Sequence, residues 1–252
     1  MEFKSSNPFL KDDKFKNTSR VNDTSLILDE GTMTVSSTIN KSFTLLLLLL
    51  STALVSWWLV SNGYNPMLFT IGGGVIGLIL VLVASFKPTT SPYTAPAYAL
   101  FEGLFIGGIS AVFEAMYPGL VIQAVSATFV TFLVCFGLYK YQIVKVTETF
   151  KSVVVAATMA IFAFYLISWI ASFFINFQPI HHGNSLMSIG ISVFVIVIAA
   201  LNLFLDFDMI EKGAQAKAPK YMEWFSAMGL MITLVWLYVE FLRLLSKLSS
   251  RN

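Results

Sequence analysis

Long apolar runs separated by short polar connectors fill the chain from Ser42 onward. Each run holds about twenty residues, which is the length an α-helix needs to cross the hydrocarbon core of a bilayer. The runs cover residues 42–61, 67–86, 97–117, 120–139, 153–175, 186–207 and 225–245. The pattern therefore predicts an all-α, polytopic membrane protein whose seven transmembrane helices form a bundle over residues 42–248.

The overall composition agrees with a membrane protein and disagrees with a soluble domain. Hydrophobic residues make up 56% of the chain and charged residues only 12%, with a mean hydropathy of +0.76. A soluble domain carries roughly twice that charged fraction. The net charge of +2 gives no sign of a nucleic-acid partner. The single cysteine, Cys135, excludes a disulfide within the chain.

Residues 1–41 differ from the rest of the chain because they are polar and carry charges of both signs. Such a segment buries too little apolar surface to offset the entropy lost on ordering. We expect a flexible N-terminal tail. We expect no cleavable signal peptide, because the first apolar run begins too far along the chain.

The basic residues predict the side of the membrane on which the tail lies. The connectors after the first, third and fifth runs contain no Lys or Arg, whereas the tail and the other three connectors hold thirteen of the sixteen. Because basic residues concentrate in cytoplasmic loops, the tail is predicted to be cytoplasmic. Arg243, Lys247 and Arg251 oppose this assignment, since seven crossings place them outside. A re-entrant last segment is the alternative.

Glycines in the second and third runs predict close helix packing. Each run contains a Gly-x-x-x-Gly spacing, Gly73 with Gly77 and Gly103 with Gly107. Without side chains at these positions, helix backbones approach closely and gain van der Waals contact that lipid does not offer. A glycine-lined pore is the alternative interpretation.

Acidic residues inside or beside the apolar runs are the strongest functional candidates, because a carboxylate in hydrocarbon costs about 3 kcal/mol on insertion scales. Asp206 closes the sixth run, and Glu240 lies about 22 Å into the seventh. Glu102 lies just inside the cytoplasmic end of the third run. Glu114 and Asp208 are expected to reach water.

Two interpretations of Glu240 stay open on the sequence. In the first, Glu240 pairs locally with Arg243, whose side chain extends to the outer surface. In the second, Glu240 and another carboxylate share a dry site and hold a proton between them near neutral pH. Loss of that proton would create repulsion or a cation site, so the pair would act as a pH switch or an ion gate.

Other chemistry finds no support in the residues. His181 and His182 are adjacent in an outer connector, a spacing that does not chelate one metal from a helix face. The chain contains no Cys cluster and no recognisable catalytic set. We therefore expect no enzyme activity and no cofactor.

Three stretches resemble the bacterial branch of the Bax inhibitor motif (YccA-like) family of membrane proteins. They are SPYTAPAYALFEG at Ser91–Gly103, LDFDMIE at Leu205–Glu211 and LYVEFL at Leu237–Leu242. Each motif is short and apolar, but the three occur in order within a seven-span plan. The resemblance covers residues 32–248.

This resemblance implies a bundle with the last helix at its centre, and a calcium-leak channel gated by pH. Two aspartates on the last two helices share hydrogen bonds in that family and hold the pore closed, accompanied by a basic residue at the end of the second helix. Asp206 matches the first acid, Glu240 stands where the second is Asp, and Lys87 stands where an Arg is expected. Glu102 is the alternative partner for Asp206, since Glu240 lies at another depth.

The sequence thus leads to two functional hypotheses. The first is a pH-sensitive calcium or cation leak channel in a bacterial inner membrane, gated by Asp206 and Glu240, with Lys87 and Glu102 in support. Both acids would contact Ca²⁺ transiently, and the partners would be cations, protons and the lipid bilayer. The second is an interaction protein that modulates a membrane protease or another membrane complex. It would depend on the tail and on the connector at 140–151.

Overall fold

The structure is a computed structural model that describes residues 31–174, 183 and 185–251. Within these residues, seven α-helices follow one another: α1 (Val35–Ser61), α2 (Pro66–Phe86), α3 (Ser91–Met116), α4 (Leu120–Lys140), α5 (Glu148–Phe174), α6 (Leu186–Gln215) and α7 (Met222–Ser249). A short 3₁₀ turn, Pro88–Thr90, precedes α3. All seven helices are long and apolar enough to cross a membrane. The predicted all-α, seven-span architecture is confirmed.

Several helices extend beyond their apolar runs. The first begins at Val35, ahead of the expected start at Ser42, because the Thr34 side chain accepts a hydrogen bond from the Ser37 backbone and caps the helix. The later part of the predicted tail therefore belongs to the bundle. Residues 1–30, the rest of that tail, lie outside the described residues.

Glycines let α3 pack closely against two neighbours, as the sequence predicts. A Cβ atom at Gly107 would lie 2.1 Å from the Ala53 carbonyl oxygen of α1, and one at Gly73 would lie 2.5 Å from the Phe101 carbonyl oxygen of α3. Backbone therefore meets backbone at both contacts. These glycines serve tight helix packing.

The last helix, α7, lies against four others. It packs on α1, α3, α4 and α6, while α2 packs on the outside of α3 and α5 on the outside of α6. A larger share of α7 is buried than of any other described helix. We call the end of the bundle that holds Thr34 and the α6–α7 connector the tail side, and the opposite end the far side.

We predict that Gly107→Ala destabilises the bundle by about 1 to 3 kcal/mol, because a new methyl group overpacks the α1–α3 contact. Its Cβ would lie 2.0 Å from the Ser56 hydroxyl. Gly137→Ala on α4 is the matched control, since a Cβ there meets no atom within 4 Å. Thermal unfolding in detergent, followed by circular dichroism, measures both. Equal stability of the two variants would contradict the packing role.

Candidate functional site

Polar residues recur every seven positions along α7. Ser226, Thr233, Glu240 and Lys247 are all buried, although the helix crosses an apolar bundle. Seven residues make almost two helical turns, so all four side chains share one face. That face is turned toward α6.

A matching polar face runs along α6. Its members are Ser188, Ser192, Asn202 and Asp206, which project to the same side of the helix. Because α6 and α7 are antiparallel, the end of one face meets the start of the other. We call the two faces together the polar seam, and it runs from the tail side to the far side.

Asp206 occupies the tail-side part of the seam. The Thr233 side chain of α7 lies beside its carboxylate, and the Thr233 hydroxyl donates to the Gly229 carbonyl oxygen at 3.3 Å. Gly229 lies one helical turn earlier on α7 and leaves room for the carboxylate, since a Cβ there would lie 3.7 Å from Asp206 Oδ1. Asp206 therefore packs against α7 at Gly229, and among the described residues no lysine or arginine forms an ion pair with it.

Glu240 lies further along the seam and belongs to a cluster with α5. Arg243 Nη1 donates to Glu240 Oε1 at 2.8 Å, and the Tyr165 hydroxyl donates to the same oxygen at 3.2 Å. Arg243 Nη1 also lies 3.2 Å from the Tyr165 hydroxyl and its guanidinium lies over the tyrosine ring. Asn202 extends the link to α5 by donating to the Thr158 hydroxyl at 2.8 Å.

Lys247 occupies the far-side end of the seam. Its ammonium group donates to the Ser192 hydroxyl at 2.7 Å and to the Ser188 carbonyl oxygen at 3.2 Å. Among the described residues, no carboxylate contacts it, and the side chain is buried. An ammonium group held only by neutral oxygens is costly in a bilayer, which marks the position as a functional candidate.

The seam also contains buried polar atoms that the protein leaves without a partner. Within the described part of the chain these atoms are Asp206 Oδ2, Ser226 Oγ and Glu240 Oε2, and all three belong to the seam. A buried polar atom without a hydrogen bond costs about 1 to 3 kcal/mol. These oxygens are thus available to a proton, a water molecule or a cation.

The expected hydrogen-bonded pair of Asp206 and Glu240 does not form in this structure. Asp206 faces Thr233, and Glu240 lies seven residues beyond Thr233 on α7, which corresponds to about 10 Å along the helix axis. The Glu240 oxygen that has partners is occupied by Arg243 and Tyr165. The local Glu240–Arg243 pair, the other interpretation of the sequence, is the one observed.

The two supporting residues named from the sequence lie away from the seam. Lys87 is exposed at the end of α2 and makes no ion pair in the region that the structure covers. Glu102 is buried on α3 against α2, where Gly77 leaves space for its carboxylate. The alternative pairing of Glu102 with Asp206 is not observed, and the supporting roles of Lys87 and Glu102 stay predictions.

Two acids that were expected to reach water have structural partners, and only Asp208 is buried. Asp208 is buried and accepts ion pairs from Lys151 of α5 at 3.2 Å and from Lys212 at 2.9 Å. Glu114 is partly exposed and accepts hydrogen bonds from the backbone at the start of α4. These acids hold helix ends in place. The pair His181 and His182 lies outside the described residues, and Cys135 is a buried free thiol.

Glu223 has more polar contacts than any other acid among the described residues, although no sequence motif indicates it. It is fully buried at the start of α7 and forms ion pairs with Lys41 and Lys220. Its carboxylate also accepts hydrogen bonds from the Thr34 backbone at 2.9 Å and from the Ser37 hydroxyl at 2.8 Å. Glu223 therefore fastens the start of α1 to the start of α7.

Backbone hydrogen bonds on the tail side also connect the segment before α1 to the segment before α7. The Met33 N–H donates to the Ala218 carbonyl oxygen at 2.7 Å, and the Lys220 N–H donates to the Gly31 carbonyl oxygen at 3.0 Å. Met33 itself is buried against Gly213 of α6. The segment at residues 31–34 thus joins the connector between α6 and α7, the two helices that form the seam.

One protein-family model matches the chain. The family model described as Bax inhibitor 1 like matches residues 7–250, which include all seven helices and the whole seam. No curated protein matches the chain.

We predict that Glu223→Gln lowers the free energy of unfolding by about 3 kcal/mol, because it leaves two lysines without their buried counter-charge. Glu148→Gln is the matched control, since the Glu148 side chain is 87% exposed and its pair with Lys151 lies on the surface. Chemical unfolding in detergent micelles gives both values. An effect of Glu223→Gln no larger than that of the control would contradict the anchoring role.

Proposed function

The chain belongs to the Bax inhibitor 1 like family, and from this premise we propose that it is a pH-sensitive leak pathway for calcium and related cations in a bacterial inner membrane. The tail side would face the cytoplasm, in agreement with the distribution of basic residues. Cations would move along the polar seam between α6 and α7. Among the described residues, the seam places buried polar side chains at successive levels of α6 and α7.

The main support for the proposal is a set of buried oxygens in the seam that have no hydrogen-bond partner within the described part of the chain. Asp206 Oδ2, Ser226 Oγ and Glu240 Oε2 are buried and bind no protein group. Carboxylate and hydroxyl oxygens are the ligands that calcium prefers. Two separate carboxylates about 10 Å apart along α7 would act as successive cation positions, in place of one shared latch.

Protonation of these acids supplies the pH response. At low pH a protonated carboxyl group is neutral and gives a cation no compensation for lost hydration. At higher pH the charged carboxylate attracts a cation into the seam, because electrostatic attraction is strong where water is scarce. The proposal therefore requires cation flux to rise with pH.

In the proposed pathway, two cationic side chains close the far-side end of the seam. Lys247 holds the Ser188 carbonyl oxygen and the Ser192 hydroxyl, two oxygens that a passing cation would use. Arg243 adds a second positive charge beside Glu240. Displacement of these cationic side chains would open the outer end.

The interaction-protein alternative receives no support from the described residues. The tail on which it depends lies largely outside them. In the connector at 140–151, Lys151 is engaged with Glu148 and Asp208 within the chain. The leak pathway is therefore the function that we propose.

We predict that Asp206→Asn and Glu240→Gln each lower calcium flux by about tenfold or more, because each removes a negative charge that attracts a cation where water is scarce. Both variants should also lose the rise of flux with pH. Calcium uptake into liposomes loaded with an indicator dye, measured at several pH values, checks both effects. Glu148→Gln is the exposed-acid control. Absence of flux in the wild-type protein, or an unaltered pH response in both variants, would reject the proposal.

We predict that Lys247→Met raises calcium flux severalfold, because it removes the positive charge at the outer end of the seam. Lys247→Arg should keep flux near the wild-type value, since the charge remains. Lys140→Met, at an exposed position at the end of α4, controls for loss of a surface charge. The same liposome assay measures all three. If Lys247→Met protein elutes as a single species and still shows wild-type flux, Lys247 does not close the outer end of the seam.

A further inference from the structure

A lateral cleft separates α1 from α4 on the outside of α7. Both helices pack against α7, yet they scarcely touch each other. Two adjoining cavities of about 350 and 270 Å³ fill the space between them, and they share Leu46, Phe129, Met231 and Leu234 in their walls. The cleft therefore exposes one side of the central helix to the bilayer.

The cavity on the tail side has the depth of one membrane leaflet. Along α1 it extends from Val35 to Leu46, which is about 16 Å of helix. The hydrocarbon core is about 30 Å thick, so this distance is close to half of it. Its wall is almost entirely apolar and includes phenylalanines from three helices, Phe43, Phe132 and Phe207. These dimensions and this chemistry match a lipid acyl chain.

A carboxylate stands at the polar end of the same cavity. Glu211 of α6 lines it beside Tyr139 of α4. The Tyr139 hydroxyl donates to one carboxylate oxygen, and the Gln215 side chain donates to the other at 3.2 Å. Both partners are neutral, and no Lys or Arg among the described residues forms an ion pair with Glu211. This differs from Asp208, one helical turn earlier, which has two lysines.

We propose that this cleft binds one phospholipid with a primary ammonium headgroup, a phosphatidylethanolamine. Its acyl chain lies between α1 and α4, and its ammonium group donates to the Glu211 carboxylate. The ammonium compensates the charge that the protein leaves uncompensated, and its N–H groups provide hydrogen bonds that a choline headgroup lacks. A phosphatidylglycerol, which is anionic, would be repelled by Glu211. The proposal is independent of ion conduction.

Native mass spectrometry of the purified full-length protein tests the assignment. The protein is mixed with phosphatidylethanolamine, phosphatidylcholine and phosphatidylglycerol that carry identical acyl chains. We expect the ethanolamine lipid to be retained about fivefold more than either competitor, the advantage that an ion pair near a protein surface provides. Equal retention of the three lipids would overturn the proposal.

Two variants separate the headgroup contact from the acyl-chain contact. Glu211→Gln should still bind lipid but lose the preference for the ethanolamine headgroup. Glu211→Asp should keep this preference, because the negative charge remains. Glu148→Gln, the exposed-acid control, should behave as wild type. Leu234→Trp, which fills the wall shared by both cavities, should lose retention of all three lipids. Leu78→Trp, on the exposed face of α2, is its control. The proposed lipid site would be contradicted if Glu211→Gln still preferred the ethanolamine lipid. It would also be contradicted if folded Leu234→Trp still retained lipid.

Discussion

A charged or hydroxyl-bearing side chain loses its hydration when its helix enters hydrocarbon, and the packing of α6 on α7 follows from that cost. Each helix carries a buried polar face, and neither face can be turned to lipid. The two faces therefore meet, so that Glu240 and Lys247 receive hydrogen-bond partners and Asp206 packs against Gly229. The remaining helices cover this pair, so the position of α7 within the bundle depends on the seam.

The seam is incompletely satisfied, and this makes it a candidate for transport as well as a structural contact. Its carboxylates each retain an oxygen without a partner, while its far end is filled by an ammonium group. On the tail side, Glu223 holds the start of α7 to α1 through ion pairs with Lys41 and Lys220. The start of α7 is anchored, while the middle of the helix carries buried polar atoms without hydrogen-bond partners. This combination would let α7 respond to protonation of the seam carboxylates without unfolding. The cleft between α1 and α4 gives the same helix direct contact with lipid.

The sequence predicts the helices well because twenty-residue apolar runs leave few alternatives in a membrane. It also places Asp206 and Glu240 inside the bundle, where both are buried, because each lies within or at the end of an apolar run. It does not predict their separation, which depends on the register between α6 and α7 and on helix ends set by contacts such as Thr34 with Glu223. Glu223 itself escapes notice because an acid in the first turn of a helix is ordinary. The seven-residue recurrence of Ser226, Thr233, Glu240 and Lys247 is visible in the sequence and is the signal that would have located the seam.

Cation passage through the seam requires that the seam face of α7 admits water and cations while its opposite face does not. Single cysteines placed at Ser226 and Thr233, and for comparison at Ala227 and Met228, test this in a Cys135→Ala background. Ala227 and Met228 belong to the packed core with α1 and α3. A water-soluble, positively charged thiol reagent should modify the two seam positions faster as pH rises, and leave the other two protected throughout. Equal protection of all four positions at every pH, or faster modification at Ala227 and Met228, would contradict cation passage through the seam.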